Sequence, residues 1–196
     1  MSARTVRIGG AAGYWGDTAN GPEQLVLQGD VQYLVFDYLA EVTMAILAKA
    51  RGKSPDAGYA TDFITQVIKP LAGEIARRRI RVIANAGGVN LQACAKAIRA
   101  ALAEAGVSLK VGTVEGDELL DRSEELRARG VREMYDGRPL PEKLASCNAY
   151  LGAFPIAAAL DAGADIIVTG RVVDSAVTLG ALVHEFGWTP EDWDRL

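Results

Sequence analysis

Histidine and cysteine are nearly absent from this chain, and their scarcity argues against several kinds of site. The one histidine is His184, and the two cysteines, Cys94 and Cys147, lie far apart and have no C-x-x-C spacing. Zinc sites are usually built from clusters of these residues, so we expect no zinc site. A Ser-His-Asp triad would have to use His184, and no G-x-S-x-G motif accompanies it. Both cysteines are expected to be free thiols in a reducing compartment.

Basic residues and long apolar runs are also in short supply. Lys and Arg number 21 against 25 Asp and Glu, which gives a net charge of −4. Proteins that bind nucleic acid usually carry a basic face, and the basic cluster here, residues 77–79, is expected at a helix end. No apolar run reaches the roughly 18 residues of a membrane span, and the N-terminus has no signal-peptide core. We therefore expect a cytoplasmic protein that binds neither nucleic acid nor a membrane.

The chain does contain a regular alternation of short apolar segments and longer helical segments. Strands are predicted near residues 5–9, 33–37, 81–85, 109–114 and 165–169. Among the helices, the second is predicted over residues 39–50, the next runs towards Arg79 and is expected to be kinked or split by Pro70, and a later one is predicted over residues 149–162. The alternation predicts βαβ units. The fold class is therefore α/β, with a mainly parallel open sheet and helices on both faces, a Rossmann-like arrangement of three layers. A length of 196 residues suits a single domain, and five strands are too few for a TIM barrel.

The segment R-V-I-A-N-A-G-G-V-N, residues 81–90, joins the third strand to a long predicted helix over residues 91–105. Its two glycines allow positive φ and a close approach of a ligand to the backbone, and Asn90 is expected to cap the helix. Ligands of open α/β sheets usually bind at such strand ends, where free N–H groups can hold an anion. The predicted ligand-binding residues here are Asn85, Gly87, Gly88 and Asn90. The alternative is a short βα connection without a ligand.

Polar or glycine-rich segments follow the other four strands as well. Because the carboxyl ends of parallel strands share one edge, we expect these segments to line one cleft with the 81–90 turn. The further ligand-binding candidates are Gly13, Gly16, Gly170 and Arg171, and the candidates for a catalytic acid or base are Asp17, Asp37 and Glu115. The first loop matches neither G-x-G-x-x-G nor a Walker loop. A carboxylate-held Mg²⁺ stays an alternative that acidic residues alone do not establish.

Structural roles compete with these functional ones. Asp37, Asp117 and Asp174 precede predicted helices and are candidates for N-caps, whereas Asp17 has no helix directly after it. Arg171 is expected either to pair with Asp17 or to bind an anionic ligand, because its planar guanidinium matches two oxygens of a carboxylate or phosphate.

Six motifs occur in order along nearly the whole chain: I-G-G-A-A-G-Y-W-G-D, Y-L-V-F-D-Y-L-A-E-V-T, G-Y-A-T-D-F, N-A-G-G-V-N, V-E-G-D and T-G-R-V-V-D-S-A-V-T-L-G. Together they resemble the N-terminal region of the acyclic terpene utilisation (AtuA-type) family. The resemblance implies a soluble protein of bacterial catabolism that is associated with acyclic terpenoids or related branched acyl-CoA compounds. It also implies that residues 1–196 are the N-terminal domain of a longer architecture, whose C-terminal part could complete the site.

The leading hypothesis is an enzyme domain that acts on a branched acyl-CoA or a similar carboxylated metabolite, with the anionic ligand at the carboxyl edge of the sheet. One alternative is a non-catalytic subunit that binds a ligand or a pathway partner such as a carboxylase. Another is a nucleotide-binding domain with an atypical glycine loop. Acids that face the cleft with raised pKa values favour the enzyme, and acids used only as caps favour the subunit. No cofactor is assigned, and a homo-oligomer is compatible with each hypothesis.

Overall fold

The computed structural model describes residues 4–196, and its five strands form a single parallel sheet. The strands are β1 Ile8–Ala12, β2 Tyr33–Phe36, β3 Arg81–Ala84, β4 Val111–Val114 and β5 Ile166–Thr169. Their order across the sheet is β1-β2-β3-β5-β4. Every residue of β2 and of β5 is buried, as expected for strands covered on both faces. The predicted parallel sheet is confirmed.

Seven α-helices connect or follow these strands within the described residues. They are α1 Asn20–Leu27, α2 Glu41–Arg51, α3 Lys69–Arg78, α4 Leu91–Glu104, α5 Ser123–Ala128, α6 Phe154–Asp161 and α7 Ala176–Phe186. A π-helical segment, Phe63–Ile68, leads directly into α3, which has Pro70 in its first turn. A short 3₁₀ turn, Leu120–Arg122, precedes α5. Proline lacks the N–H that a helix interior needs, so the interruption expected at Pro70 is present as this change of helix type.

The helices form two layers because alternate residues of each strand point to opposite faces of the sheet. One core joins Leu34 and Phe36 of β2 to side chains of α1, α2, α3 and α4. The other core joins Tyr33 and Val35 of the same strand to side chains of α6 and α7. The structure is therefore a three-layer α/β fold, as predicted.

The crossovers change layer between the neighbouring strands β3 and β5, and at such a change open α/β sheets usually have a crevice at the carboxyl edge. The chain leaves β3 for α4 in the first layer and leaves the neighbouring β5 for α7 in the second. The two loops diverge, as they do at the switch point where open α/β sheets bind ligands. The loops that meet there begin at Asn85 and Gly170.

Two element boundaries differ from the sequence-based expectation. The first strand runs over Ile8–Ala12 instead of residues 5–9, because its pairing with β2 begins at Ile8, opposite Tyr33, and continues to Ala12, opposite Phe36. A helix was expected over residues 149–162, but α6 begins only at Phe154. The residues before it are held extended by the pairing of Leu151 with Val172, which follows β5.

No helix in residues 4–196 is long and apolar enough to cross a membrane.

Candidate functional site

The turn after β3, residues 85–90, fits tightly against neighbouring backbone. The Gly87 N–H donates to the Thr169 carbonyl oxygen at 2.9 Å, and a Cβ on Gly87 would lie 2.6 Å from that oxygen. The N–H groups of Val89 and Asn90 also donate to carbonyl oxygens, both at 2.9 Å. Three of the N–H groups in the predicted anion site are therefore engaged within the protein.

The Asn90 side chain holds a loop instead of capping α4. Its Nδ2 donates to the carbonyl oxygens of Pro55 at 2.7 Å and Ala57 at 2.8 Å, and no side-chain cap is formed. Beside it, Gly88 has a φ of +55°, and a Cβ there would lie 2.5 Å from the Gly58 carbonyl oxygen. The expected capping role of Asn90 is wrong, because the loop between α2 and the π-helical segment lies against the turn, and its carbonyl oxygens accept both hydrogen bonds from the Asn90 side-chain amide.

Asn85 and Asp37 form a hydrogen-bonded pair at the ends of β3 and β2. Asn85 is fully buried; its Oδ1 accepts the Tyr38 N–H and its Nδ2 donates to Asp37 Oδ1, both at 2.6 Å. Burial raises the pKa of the half-buried Asp37 carboxyl. The hydrogen bond from Asn85 lowers this pKa, the charge of Asp174 raises it and the charge of Arg171 lowers it. Asp37 is therefore a fixed, partly desolvated carboxyl group, and it does not cap α2, which begins after Ala40 without a side-chain cap.

Arg171 follows β5 and is 3% exposed. Its guanidinium lies 4.2 Å from the centroid of the Tyr150 ring and donates to the Leu39 carbonyl oxygen. Two carboxylates approach it, Glu41 at 3.5 Å and Asp174 at 3.4 Å. The Nε atom of Arg171 is buried without a hydrogen-bond partner. The sequence had suggested Asp174 as a cap, but its place three residues along the chain lets it pair with this arginine.

A cavity of about 190 Å³ opens beside the Arg171 guanidinium. It is lined by Glu41, Met44, Ser146, Asn148, Tyr150 and Arg171. The Tyr150 hydroxyl donates to the Glu41 carboxylate across this cavity. Together with the Arg171 charge, that bond lowers the pKa of Glu41, with the tyrosine contact as the larger cause.

Asp117 follows β4 and ties the loops of this edge together. Its buried carboxylate accepts the Arg171 N–H at 2.8 Å and the Asn148 Nδ2 at 2.9 Å. A Cβ on Gly170 would collide with this carboxylate, so glycine is required at that position. The expected capping role of Asp117 is wrong, because the next helical turn begins only at Leu120.

Asp17 organises its own glycine loop. Its carboxylate oxygens accept the N–H groups of Gly13 at 3.0 Å and Thr18 at 2.7 Å, and these bonds lower its pKa. Gly16 supplies a φ of +92° within this loop. The expected alternative in which Asp17 pairs with Arg171 is wrong, because the arginine pairs with Glu41 and Asp174 instead.

Glu115 lies in a separate cleft of about 320 Å³ between the start of α4 and the loop after β4. It accepts hydrogen bonds from the side chains of Gln92 and Thr113, the latter at 3.2 Å. The other charges on this cleft are Arg51, which pairs with Glu118 at 2.6 Å, and the bonded carboxylate of Asp117. Three carboxylates against one arginine make this cleft unfavourable for an anion.

The sequence model described as "Acyclic terpene utilisation family protein AtuA" matches residues 6–196, which is nearly the whole chain. The chain belongs to this family. Comparison with curated proteins finds no match, and comparison with solved structures finds none. The family resemblance inferred from the six motifs is confirmed.

The predicted site residues of this family member fall into three groups at the carboxyl edge. Asp37, Asn85 and Arg171 lie together near the crevice, since the charge of Arg171 acts on the pKa of Asp37. Glu115 shares its cleft with Gly88 and Asn90 of the turn after β3. The Asp17 loop contacts the end of β2 through the Trp15 N–H and the Tyr38 carbonyl oxygen.

Sequence reasoning missed two residues of the central group, Glu41 and Tyr150. Tyr150 was placed at the start of the helix predicted over residues 149–162, and Glu41 lay inside the predicted second helix. Glu41 lies five residues after the end of β2, whereas Tyr150 lies in the segment just before α6, and no motif marks either position. Among residues 4–196, no cluster of three or more His, Cys, Asp or Glu side chains could hold a metal ion.

Proposed function

We propose that this domain belongs to a catabolic enzyme and holds a branched acyl-CoA, or a related carboxylated metabolite, at the carboxyl edge of its sheet. Asp37 serves as the general acid or base. The observation that carries the proposal is the state of this carboxyl group: it is half-buried, its pKa is raised by burial, and Asn85 fixes its orientation. Carboxyl groups perturbed in this way at a crevice are candidates for catalysis, since a raised pKa suits proton transfer near neutral pH.

The other two acids are weaker candidates for that role. Backbone hydrogen bonds lower the pKa of Asp17, which favours a permanently ionised group that stabilises its loop. Glu115 is exposed and bonded to Gln92 and Thr113 in the acidic cleft. Asp37 alone combines partial burial with a raised pKa, so we assign it the proton transfer.

Arg171 is the proposed anchor for the anionic end of the ligand. It supplies a buried positive charge whose field reaches Asp37. The glycine turn at residues 85–90 is the weaker choice for an anion, because the N–H groups of Gly87, Val89 and Asn90 already have acceptors. For the same reason, phosphate binding at this turn, and with it the nucleotide-binding alternative, receives the least support.

The test is a proton-exchange assay, which does not require the complete reaction to be known. CoA thioesters of branched acyclic acids are incubated with the protein in D₂O, and incorporation of deuterium next to the thioester carbonyl is followed by mass spectrometry. A general base at Asp37 would remove a proton from that carbon and return a deuteron to it. We expect exchange with the wild type and a loss of about 10²-fold or more in Asp37→Asn, the usual contribution of a general base.

Asp30→Asn is the matched control, because Asp30 is an exposed aspartate whose carboxylate pairs with Arg7, away from the carboxyl edge. Binding of the same thioesters is measured in parallel by thermal shift. Binding without exchange in the wild type would favour the non-catalytic subunit. Exchange that survives in Asp37→Asn but is lost in Asp17→Asn would transfer the catalytic role to Asp17.

A further inference from the structure

The hydrogen-bonding capacity of Arg171 is incompletely used. A buried guanidinium requires close partners, because moving a charge out of water is costly. Charge-assisted hydrogen bonds between nitrogen and a carboxylate usually span about 2.7–2.9 Å, whereas Glu41 and Asp174 approach only to 3.5 and 3.4 Å. The buried Nε atom has no partner, although buried polar atoms are normally hydrogen-bonded. The residue is thus held without a bidentate carboxylate.

The two neighbouring carboxylates differ in where they lie. Glu41 lines the cavity of about 190 Å³ and accepts the Tyr150 hydroxyl across it. Asp174 approaches the same guanidinium but is not part of the cavity wall. Both carboxylates belong to highly exposed side chains, 76% and 72% respectively. Glu41 can therefore turn towards solvent without breaking core contacts.

We infer that this cavity is a carboxylate subsite, and that the Glu41 carboxylate occupies the place of the ligand carboxylate in the empty protein. A ligand acid displaces Glu41, takes the contacts to the Arg171 guanidinium and accepts the Tyr150 hydroxyl. The exchange replaces one negative charge with another, so the charge balance around Arg171 is preserved. This inference rests on the proposed function, which gives the position of the ligand. It adds that the recognised group of the ligand is a carboxylate, and that Glu41 competes with this group for Arg171.

The cavity walls indicate a small monocarboxylate with an apolar body. Met44 and the ring of Tyr150 supply apolar surface, and Ser146 and Asn148 supply uncharged polar groups. Once Glu41 has left, Arg171 is the charged group that remains on the wall, so a second carboxylate would have no cation to meet. A short branched acid such as isovalerate fits this description and serves as the probe.

The test compares isovalerate with its neutral isostere isovaleramide by isothermal titration calorimetry. Glu41→Ala removes the competitor, and Asp174→Ala is the matched control that removes a carboxylate equally close to the guanidinium but outside the cavity. We expect Glu41→Ala to bind isovalerate about tenfold more tightly than the wild type, a change of roughly 1.4 kcal/mol. Asp174→Ala should gain much less, and isovaleramide should not bind to any of the proteins.

A second readout follows the Nε–H signal of Arg171 by ¹⁵N NMR, assigned by its loss in Arg171→Lys. Isovalerate should shift this signal in Glu41→Ala. Unchanged signals from the other residues will show that each variant is folded. Equal gains in Glu41→Ala and Asp174→Ala would overturn the inference, because a nonspecific charge effect would then explain both. Binding of isovaleramide as tight as that of isovalerate would overturn it too. Neither readout depends on Asp37 or on proton exchange, so this inference and the proposed catalytic role fail separately.

Discussion

Replacing Gly88 by alanine tests whether the glycine turn packs tightly against the loop that contains Gly58. Gly88 has a φ of +55°, and an added Cβ would lie 2.5 Å from both the Gly58 carbonyl oxygen and the Leu47 Cδ1 atom. The neighbouring backbone cannot yield as a flexible side chain could. The substitution therefore combines a backbone penalty with a steric collision, and the two can be separated by a suitable control.

Gly106 provides that control, since it has a φ of +64° and no atom within 4 Å of an added Cβ. Gly106→Ala should cost only the left-handed conformation, about 1–2 kcal/mol. Gly88→Ala should cost the same amount plus an overpacking term of about 1–3 kcal/mol. The expected losses in the free energy of unfolding are therefore roughly 1–2 kcal/mol for Gly106→Ala and roughly 2–5 kcal/mol for Gly88→Ala.

The assay is urea unfolding followed by circular dichroism, with the midpoint and slope determined for both variants and the wild type. Equal losses for Gly88→Ala and Gly106→Ala would refute the close contact between the turn and the preceding loop. The geometry also changes how the turn can be tested for binding. Gly88→Val would collide with the same atoms, so a loss of binding in that variant would report a loss of folding.

Three further predictions concern carboxyl and thiol groups. Because burial raises the pKa of Asp37 in the folded protein, its contribution to stability is full below the ordinary aspartate pKa and is lost as pH rises through the raised value. Asp37→Asn should remove this dependence and melt at a higher temperature than the wild type at neutral pH; an unchanged pH profile would contradict the desolvation. Asp117→Ala leaves the buried Arg171 N–H and the part-buried Asn148 amide without their acceptor; the buried donor alone should lower the free energy of unfolding by about 1–3 kcal/mol, as measured by urea unfolding. Burial raises the pKa of Cys94 to about 12, so a thiol reagent should modify only Cys147 in the folded protein and both cysteines in urea.

The sequence alone was sufficient to predict the layers and the direction of the strands. Continuous apolar runs such as Tyr33–Phe36 occur where both faces of a strand are covered, so local composition reports the parallel sheet. The turns at residues 85–90, 115–117 and 170–171 were also identified correctly, because glycine and polar residues interrupt apolar runs where the chain leaves a strand. After the first strand this signal failed, since Gly9 and Gly10 lie inside β1. Six ordered motifs were enough to recognise the family over nearly the whole chain.

Only the tertiary structure decided which side chains meet. The insertion of β5 between β3 and β4 brings Gly170 against Asp117, and no local pattern encodes that order. Asp37 and Asp117 precede helices, which suggests caps, yet their carboxylates bind Asn85 and the Arg171 N–H. Such partners come from distant parts of the chain. Residue periodicity indicates whether a position is buried, but it does not indicate which residues pack against that position.

The surroundings of Arg171 show the same difference between what the sequence determined and what the tertiary structure determined. The sequence placed Arg171 at the carboxyl edge, because a residue after a buried parallel strand must lie there. Its partners Glu41 and Tyr150 come from the start of α2 and from the extended segment before α6. Tyr150 meets it because Leu151 pairs with Val172, which holds that segment beside the end of β5. Local residue preferences determined the elements of this domain, and long-range packing determined the chemistry at their ends.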